Sequence, residues 1–192
     1  MTYRLLGRLF VRKGQWENAE EYYFRAKETL EALECSQTVQ YAQLLVDLFT
    51  TTGRQEFLNT ASELFQSLNA VTHEDYPRVL KHLGSLKVHT GHYREAIEFY
   101  ELAAQCYEQL KLERSPGYAD LYANIGKAKW AMGDADAAKA AYDKADHIYA
   151  VIGVTESPGY ADLLVNRGMM LTDLGDFAAA MRFYNQALAI YQ

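Results

Sequence analysis

The sequence predicts an all-α protein: a solenoid of about five helix–turn–helix units, about ten helices in all, filling residues 1–192. Three observations predict it. The seven residues SPGYADL occur at 115–121 and again at 157–163, 42 residues apart. The same step carries Gly84 to Gly126 and Gly168, Gly91 to Gly133 and Gly175, Ala96 to Ala138 and Ala180, and Tyr100 to Tyr142 and Tyr184. Within a unit, Ala and Tyr recur at spacings of 4, 3 and 4, as in Ala96, Tyr100, Ala103 and Tyr107. That spacing is one face of an α-helix. A fixed period of this length marks a stack of identical supersecondary units.

The units follow in order. The first, 1–36, carries Gly7, Gly14, Ala19, Tyr23 and Ala26, each 77 residues before its counterpart in the third. The second, 37–72, is degenerate. Gly53 is its turn, but Val46 stands where the others have Gly, and only Ala61, Phe65 and Leu68 of its second helix stay in register. Irregular packing is expected around 46–65. The third, 73–114, has apolar residues at helical spacing (Val79, Leu80, Leu83), then the Gly91-His92 turn. A Gly there suits the left-handed position that closes a helix. Its second helix runs on to Tyr107 or Leu110.

The fourth unit, 115–156, and the fifth, 157–192, open on Ser-Pro. Ser115 and Ser157 are placed to cap a helix, with Pro116 and Pro158 at the first helical position, where a missing N–H costs nothing. Their turns are Gly133-Asp134 and Gly175-Asp176, and the fourth unit's second helix extends to Tyr149 or Ile152. In the fifth, Arg167 replaces the apolar residue found at Leu6, Leu45, Leu83 and Ile125. That position is expected to face solvent or something outside the chain.

The columns Leu83-Gly84, Gly91, Ala96, Tyr100 and Ala103 resemble the tetratricopeptide repeat (TPR), as do Ile125-Gly126, Gly133, Ala138, Tyr142 and Ala145. The usual unit has 34 residues. The 42-residue form resembles the repeats of kinesin light chains, and His73–Val79 (HEDYPRV) is similar to the linker between those repeats. The resemblance spans the whole chain. It implies a right-handed α-solenoid and a single TPR domain; with no helix to follow the apolar face of the last one, a piece of a longer array or an end buried in an assembly is expected. It also implies a non-enzymatic scaffold that binds an extended peptide or a partner helix on its concave face. Asn124 and Asn166 fall two before a repeat Gly, where kinesin light chains carry an Asn that bonds a ligand's backbone; bonding to a neighbouring helix is the alternative. Lys81 and Asn124 match two positions of the clamp found in chaperone-tail-binding members, but Ser85 and Asp162 do not.

Composition narrows the partner. Lys and Arg total 19 against 25 Asp and Glu, a net charge of −6. That argues against broad nucleic-acid binding, which needs a basic surface. No apolar run is long enough to span a bilayer, and the N-terminus lacks a signal peptide's apolar stretch, so a cytoplasmic protein without a membrane partner is expected. The two cysteines, Cys35 and Cys106, show no metal-ligand spacing. Cys106 sits in a column shared with Ile148 and Ile190 and reads as a small buried hydrophobe. No phosphate loop or catalytic motif is present, so neither catalysis nor a cofactor or metal is expected.

In helix-pair solenoids the first helices line the concave face. The stripe opposite the core is Arg4, Arg8 and Arg12 in the first unit and Gln40, Gln43 and Asp47 in the second. It is Arg78, Lys81, Ser85 and His89 in the third, Asp120, Ala123, Lys127 and Trp130 in the fourth, and Asp162, Val165, Met169 and Asp173 in the fifth. Six basic and four acidic residues make this face slightly basic in an acidic protein, and most basic towards its N-terminal half. An acidic or mixed-charge peptide is the ligand it suits, through Arg and Lys pairing to carboxylates. Trp130 adds a rigid apolar anchor of the kind enriched in binding hot spots. The alternatives are an assembly module, self-associating through the C-terminal end (Ala180, Tyr184, Ala187, Tyr191), and a peptide-sensing regulatory array.

Overall fold

A computed structural model describes residues 2–192. It contains ten α-helices and no strand among the described residues. Compactness divides the chain into two units of structure, Met1–His82 and Leu83–Gln192. The first holds α1 (Thr2–Arg12), α2 (Trp16–Ala32), α3 (Val39–Thr52) and α4 (Gln55–Ser67). The division falls inside α5 (Tyr76–His89). The second also holds α6 (Tyr93–Gln109), α7 (Pro116–Ala131), α8 (Ala135–Ile152), α9 (Pro158–Asp173) and α10 (Phe177–Tyr191).

Each helix pair is closed by the same device. Gly14, Gly53, Gly91, Gly133 and Gly175 all have positive φ, at the five turns the repeat predicts. At four of them the next N–H reaches back to a carbonyl five residues earlier, for example His92 to Lys87 at 2.8 Å, which satisfies a helix-end carbonyl. The second helices end alike, but with residues that the sequence does not flag. Glu34, Asn69 and Lys111 take left-handed φ values of 54°, 51° and 57°, where the fourth unit has Gly153 at 69°. A side chain there costs roughly 1 kcal/mol. Lys111→Gly is expected to raise stability by about that amount in urea unfolding.

Ser115 and Ser157 cap α7 and α9, accepting from the N–H of Tyr118 and Tyr160, and Thr38 caps α3 in the same way. The Gly of SPGY has its own task. A Cβ on Gly117 would lie 2.6 Å from the Tyr107 hydroxyl, and one on Gly159 2.5 Å from that of Tyr149. The repeated stretch is therefore a cap, a helix start and a notch for the tyrosine of the preceding helix.

The helix pairs lock through a Gly–Tyr contact. A Cβ on Gly7, Gly84, Gly126 or Gly168 would meet the ring of Tyr23, Tyr100, Tyr142 or Tyr184 at 2.4–2.5 Å. The flanking Ala19, Ala96, Ala103, Ala138 and Ala145 are fully buried. The second pair departs from this pattern but is not irregular. In the register set by Gly53, Leu58, Ser62 and Phe65 stand where other units have Ala, Tyr and Ala, and Val46 stands for Gly. Small–large–small has become large–small–large. Val46, Leu58 and Phe65 are completely buried, and Ser62 is nearly so. Exchanging sizes across a contact conserves volume, which cores tolerate best.

Arg167 is the other correction. Its side chain is only 17% exposed, ion-paired to Asp143 at 2.7 Å and Asp146 at 3.5 Å. Its guanidinium also lies 4.8 Å from the centre of the Phe183 ring. An arginine can occupy this column because α8 supplies carboxylates. Cys106 is buried as expected, and burial pushes its thiol pKa up.

Tyrosine hydroxyls tie neighbouring helices together. Tyr41 donates to Glu31 at 2.6 Å, Tyr118 to Glu108 at 2.7 Å and Tyr160 to Asp146 at 2.8 Å. Tyr149 donates to Asp120, and Tyr191 to Asp162. Burial, followed by the bond to its carboxylate, raises the Tyr160 pKa to about 12.

Candidate ligand face and a buried arginine cluster

In the first structural unit the predicted stripe converges on one carboxylate. Asp47, on α3, is 3% exposed. Arg4 Nε donates to its Oδ2 at 2.7 Å. Arg8 Nε donates to Oδ2 at 3.1 Å and Arg8 Nη2 to Oδ1 at 3.3 Å. From α5, Arg78 Nη2 donates to Oδ1 at 3.2 Å. Gln43 extends the network, accepting from Arg4 Nη1 at 2.8 Å and donating to Asp75 at 2.5 Å. Asp75 also pairs with Arg78 at 3.3 Å and lies 3.8 Å from His73 Nδ1.

Helical spacing explains the convergence. Arg4 and Arg8 are one turn apart on α1, so both point at α3. Asp47 lies four residues after Gln43 on the facing helix. Burial opposes a charge on Arg8, but its bond to Asp47 and the fields of Asp47 and Asp75 outweigh that and raise its pKa. Tyr23 beside the cluster is pushed up to about 12, by burial first and then by the field of Asp47. Three guanidiniums share two carboxylates, so the cluster is cationic. These arginines are thus already engaged within the chain, which charge counting along the stripe does not reveal. Arg12, at the end of α1, is exposed.

The remaining predicted residues do not join this cluster. Lys81 is half-buried and His89 exposed on α5. The Ser85 hydroxyl lies 3.2 Å from that of Tyr100, so it braces a helix pair. In the second structural unit Lys127 is exposed on α7, and Met169 is 53% exposed on α9. Trp130 Nε1 donates to Asp173 at 2.9 Å, joining these two packed helices. Asn124 and Asn166 are half-buried, and among the described residues neither side chain bonds a neighbouring helix. Asp120 and Asp162, counted as acidic lining, each accept from a tyrosine. The sequence reading missed Asp75 and His73, which come from the segment leading into α5. A signal existed in Asp47, the one carboxylate in the otherwise apolar and neutral α3, VQYAQLLVDLFTTT, where a charge needs a partner.

Among the described residues no group of three or more His, Cys, Asp or Glu is placed to hold a metal ion. No described helix is long and apolar enough to cross a membrane.

Family models described as tetratricopeptide repeat match residues 2–35, 78–109 and 117–192. The chain belongs to the tetratricopeptide repeat family. The matched stretches lie on either side of the size-inverted second pair. Several solved structures share the fold. BtubC (BKLC) from P. vanneervenii is 21% identical with a TM-score of 0.71, covering 98% of this chain and 78% of that one. A kinesin-light-chain-like protein of nearly identical TPR-like repeats from Podosopora anserina is 17% identical, with a TM-score of 0.68 and coverage of 98% and 92%. A Rap protein complexed with competence and sporulation factor is 16% identical with a TM-score of 0.80; the match covers 98% of this chain and 52% of the Rap chain. No curated protein matches this TPR chain. TPR arrays of this kind are typically protein-interaction scaffolds rather than enzymes.

Proposed function

We propose that this TPR chain is an interaction scaffold whose first-helix face binds an acidic or mixed-charge peptide or partner helix. The observation that carries this reading is the arginine cluster: Arg4, Arg8 and Arg78 share Asp47 and Asp75 and so retain unmatched positive charge. A further carboxylate is the group that completes it. Arg12, at the end of α1 in the same structural unit, contributes further exposed charge. The Rap relative, solved with a bound factor, supports ligand binding by this fold.

Arg78→Glu is a poor test, because it would set a second carboxylate against buried Asp47. Charge reversal belongs at exposed positions. Arg12→Glu is expected to weaken binding of a fluorescent hexaglutamate peptide at least about threefold in anisotropy titrations, with helicity unchanged. Wild-type binding should also weaken between about 50 and 500 mM salt, as screened charges do. Salt-independent binding, or a reversal without effect, contradicts the reading.

One observation favours a second reading, an assembly role. The last helix, α10, exposes Phe177 (65%), Met181 (56%) and Leu188 (55%). Contiguous apolar surface of this kind marks association sites. Sedimentation of the chain beside Met181→Lys/Leu188→Lys separates the two: self-association lost in the variant supports assembly, and a monomeric wild type removes it.

A further inference from the structure

Asp47 has more suitors than acceptor positions, and counting them singles out one arginine. A carboxylate offers about four acceptor positions. Arg4 Nε and Arg8 Nε occupy two on Oδ2, and Arg8 Nη2 and Arg78 Nη2 occupy two on Oδ1. Two donors remain. Arg4 Nη2 and Arg78 Nε are buried without a partner among the described residues. A buried donor left unpaired carries a desolvation cost that a bond would remove.

The geometry of the guanidinium makes the mismatch specific. Nε and Nη2 lie on one edge of the group, the edge that grips a carboxylate with two parallel bonds. Arg4 and Arg78 each engage Asp47 with half of that edge. Arg8 uses both halves, at 3.1 and 3.3 Å. It is also the most solvent-exposed of the three, at 42% against 17% for Arg4 and 30% for Arg78. If Arg8 leaves, it vacates two acceptor positions, the same number as the stranded donors.

We propose that Arg8 is the residue handed to a ligand carboxylate, and that Arg4 Nη2 and Arg78 Nε take its place on Asp47. This rests on the acidic-ligand reading above. It names the arginine that touches the ligand and explains why releasing it costs the fold little. With the ligand bound, three guanidiniums face three carboxylates. Arg4 and Arg78 are positioning residues that hold Asp47 in place throughout.

Two measurements on the full chain test this. In ligand-free thermal unfolding, Arg8→Ala should melt within about 2 °C of wild type, whereas Arg4→Ala and Arg78→Ala should melt about 8 °C lower. In titrations with the hexaglutamate peptide, the Nε–H NMR signal of Arg8 should shift. Arg8→Ala should bind at least tenfold more weakly, and Arg8→Lys should recover part of the loss. An Arg8→Ala melting as low as Arg4→Ala overturns the exchange, even where peptide binding is intact. Wild-type-like peptide binding by Arg8→Ala overturns the contact. A wild type that ignores the peptide at low salt overturns the acidic-ligand reading itself, and the ligand half of this proposal with it.

Discussion

Asp47→Asn is expected to destabilise the first structural unit by about 3–5 kcal/mol, the usual consequence of removing one partner from a buried ion pair. The side chain of Asp47 is only 5% exposed, and it is the shared partner of Arg4, Arg8 and Arg78. Asparagine keeps the shape but removes the charge, leaving three guanidiniums facing one another with only Asp75 nearby. Its amide NH2 would also point a donor at donors. Trp16, at the start of α2, lies in the same structural unit. Urea unfolding read on Trp16 fluorescence in a Trp130→Phe background should show the midpoint fall accordingly. A variant with the wild-type midpoint would mean that the cluster contributes nothing to the fold.

The second large effect concerns size rather than charge. Gly126→Val should cost about 2–3 kcal/mol, because its Cβ falls 2.5 Å from the fully buried ring of Tyr142. The protein already holds the remedy. Where α3 has Val46 in place of Gly, α4 has Ser62 in place of Tyr, and that pair packs without exposing its core. The double variant Gly126→Val/Tyr142→Ser transplants this solution and should recover part of the loss, whereas Tyr142→Ser alone should leave a cavity and destabilise. Chemical denaturation of the three variants measures the coupling. Strict additivity would show that the inverted pair is incidental.

These two cases mark how far the sequence was legible. The helix pairs, the glycine turns, the Ser-Pro caps and the Ala–Tyr face all follow from periodicity, because each depends on local backbone geometry and repeats with the unit. Inversion at Val46, Leu58, Ser62 and Phe65 was hidden because a column comparison scores each position alone, while packing conserves the sum across a contact. Arg167 misled for the same reason: its partners Asp143 and Asp146 lie on the preceding helix, outside its own column. The left-handed Glu34, Asn69 and Lys111 carry no glycine to announce them. On the candidate site, helical spacing placed Arg4, Arg8 and Gln43 on one face. It could not show that α1 and α5 both aim at Asp47, since that pairing depends on how the helices pack.

The central claim is that a cationic first-helix face selects acidic partners. The most direct measurement is a pull-down with the wild-type chain beside Arg12→Glu, at low and high salt, with partners identified by mass spectrometry. The account predicts a partner that binds through an acidic segment, weakens with salt and is lost on charge reversal. Partners retained equally by both proteins at both salt concentrations would contradict it.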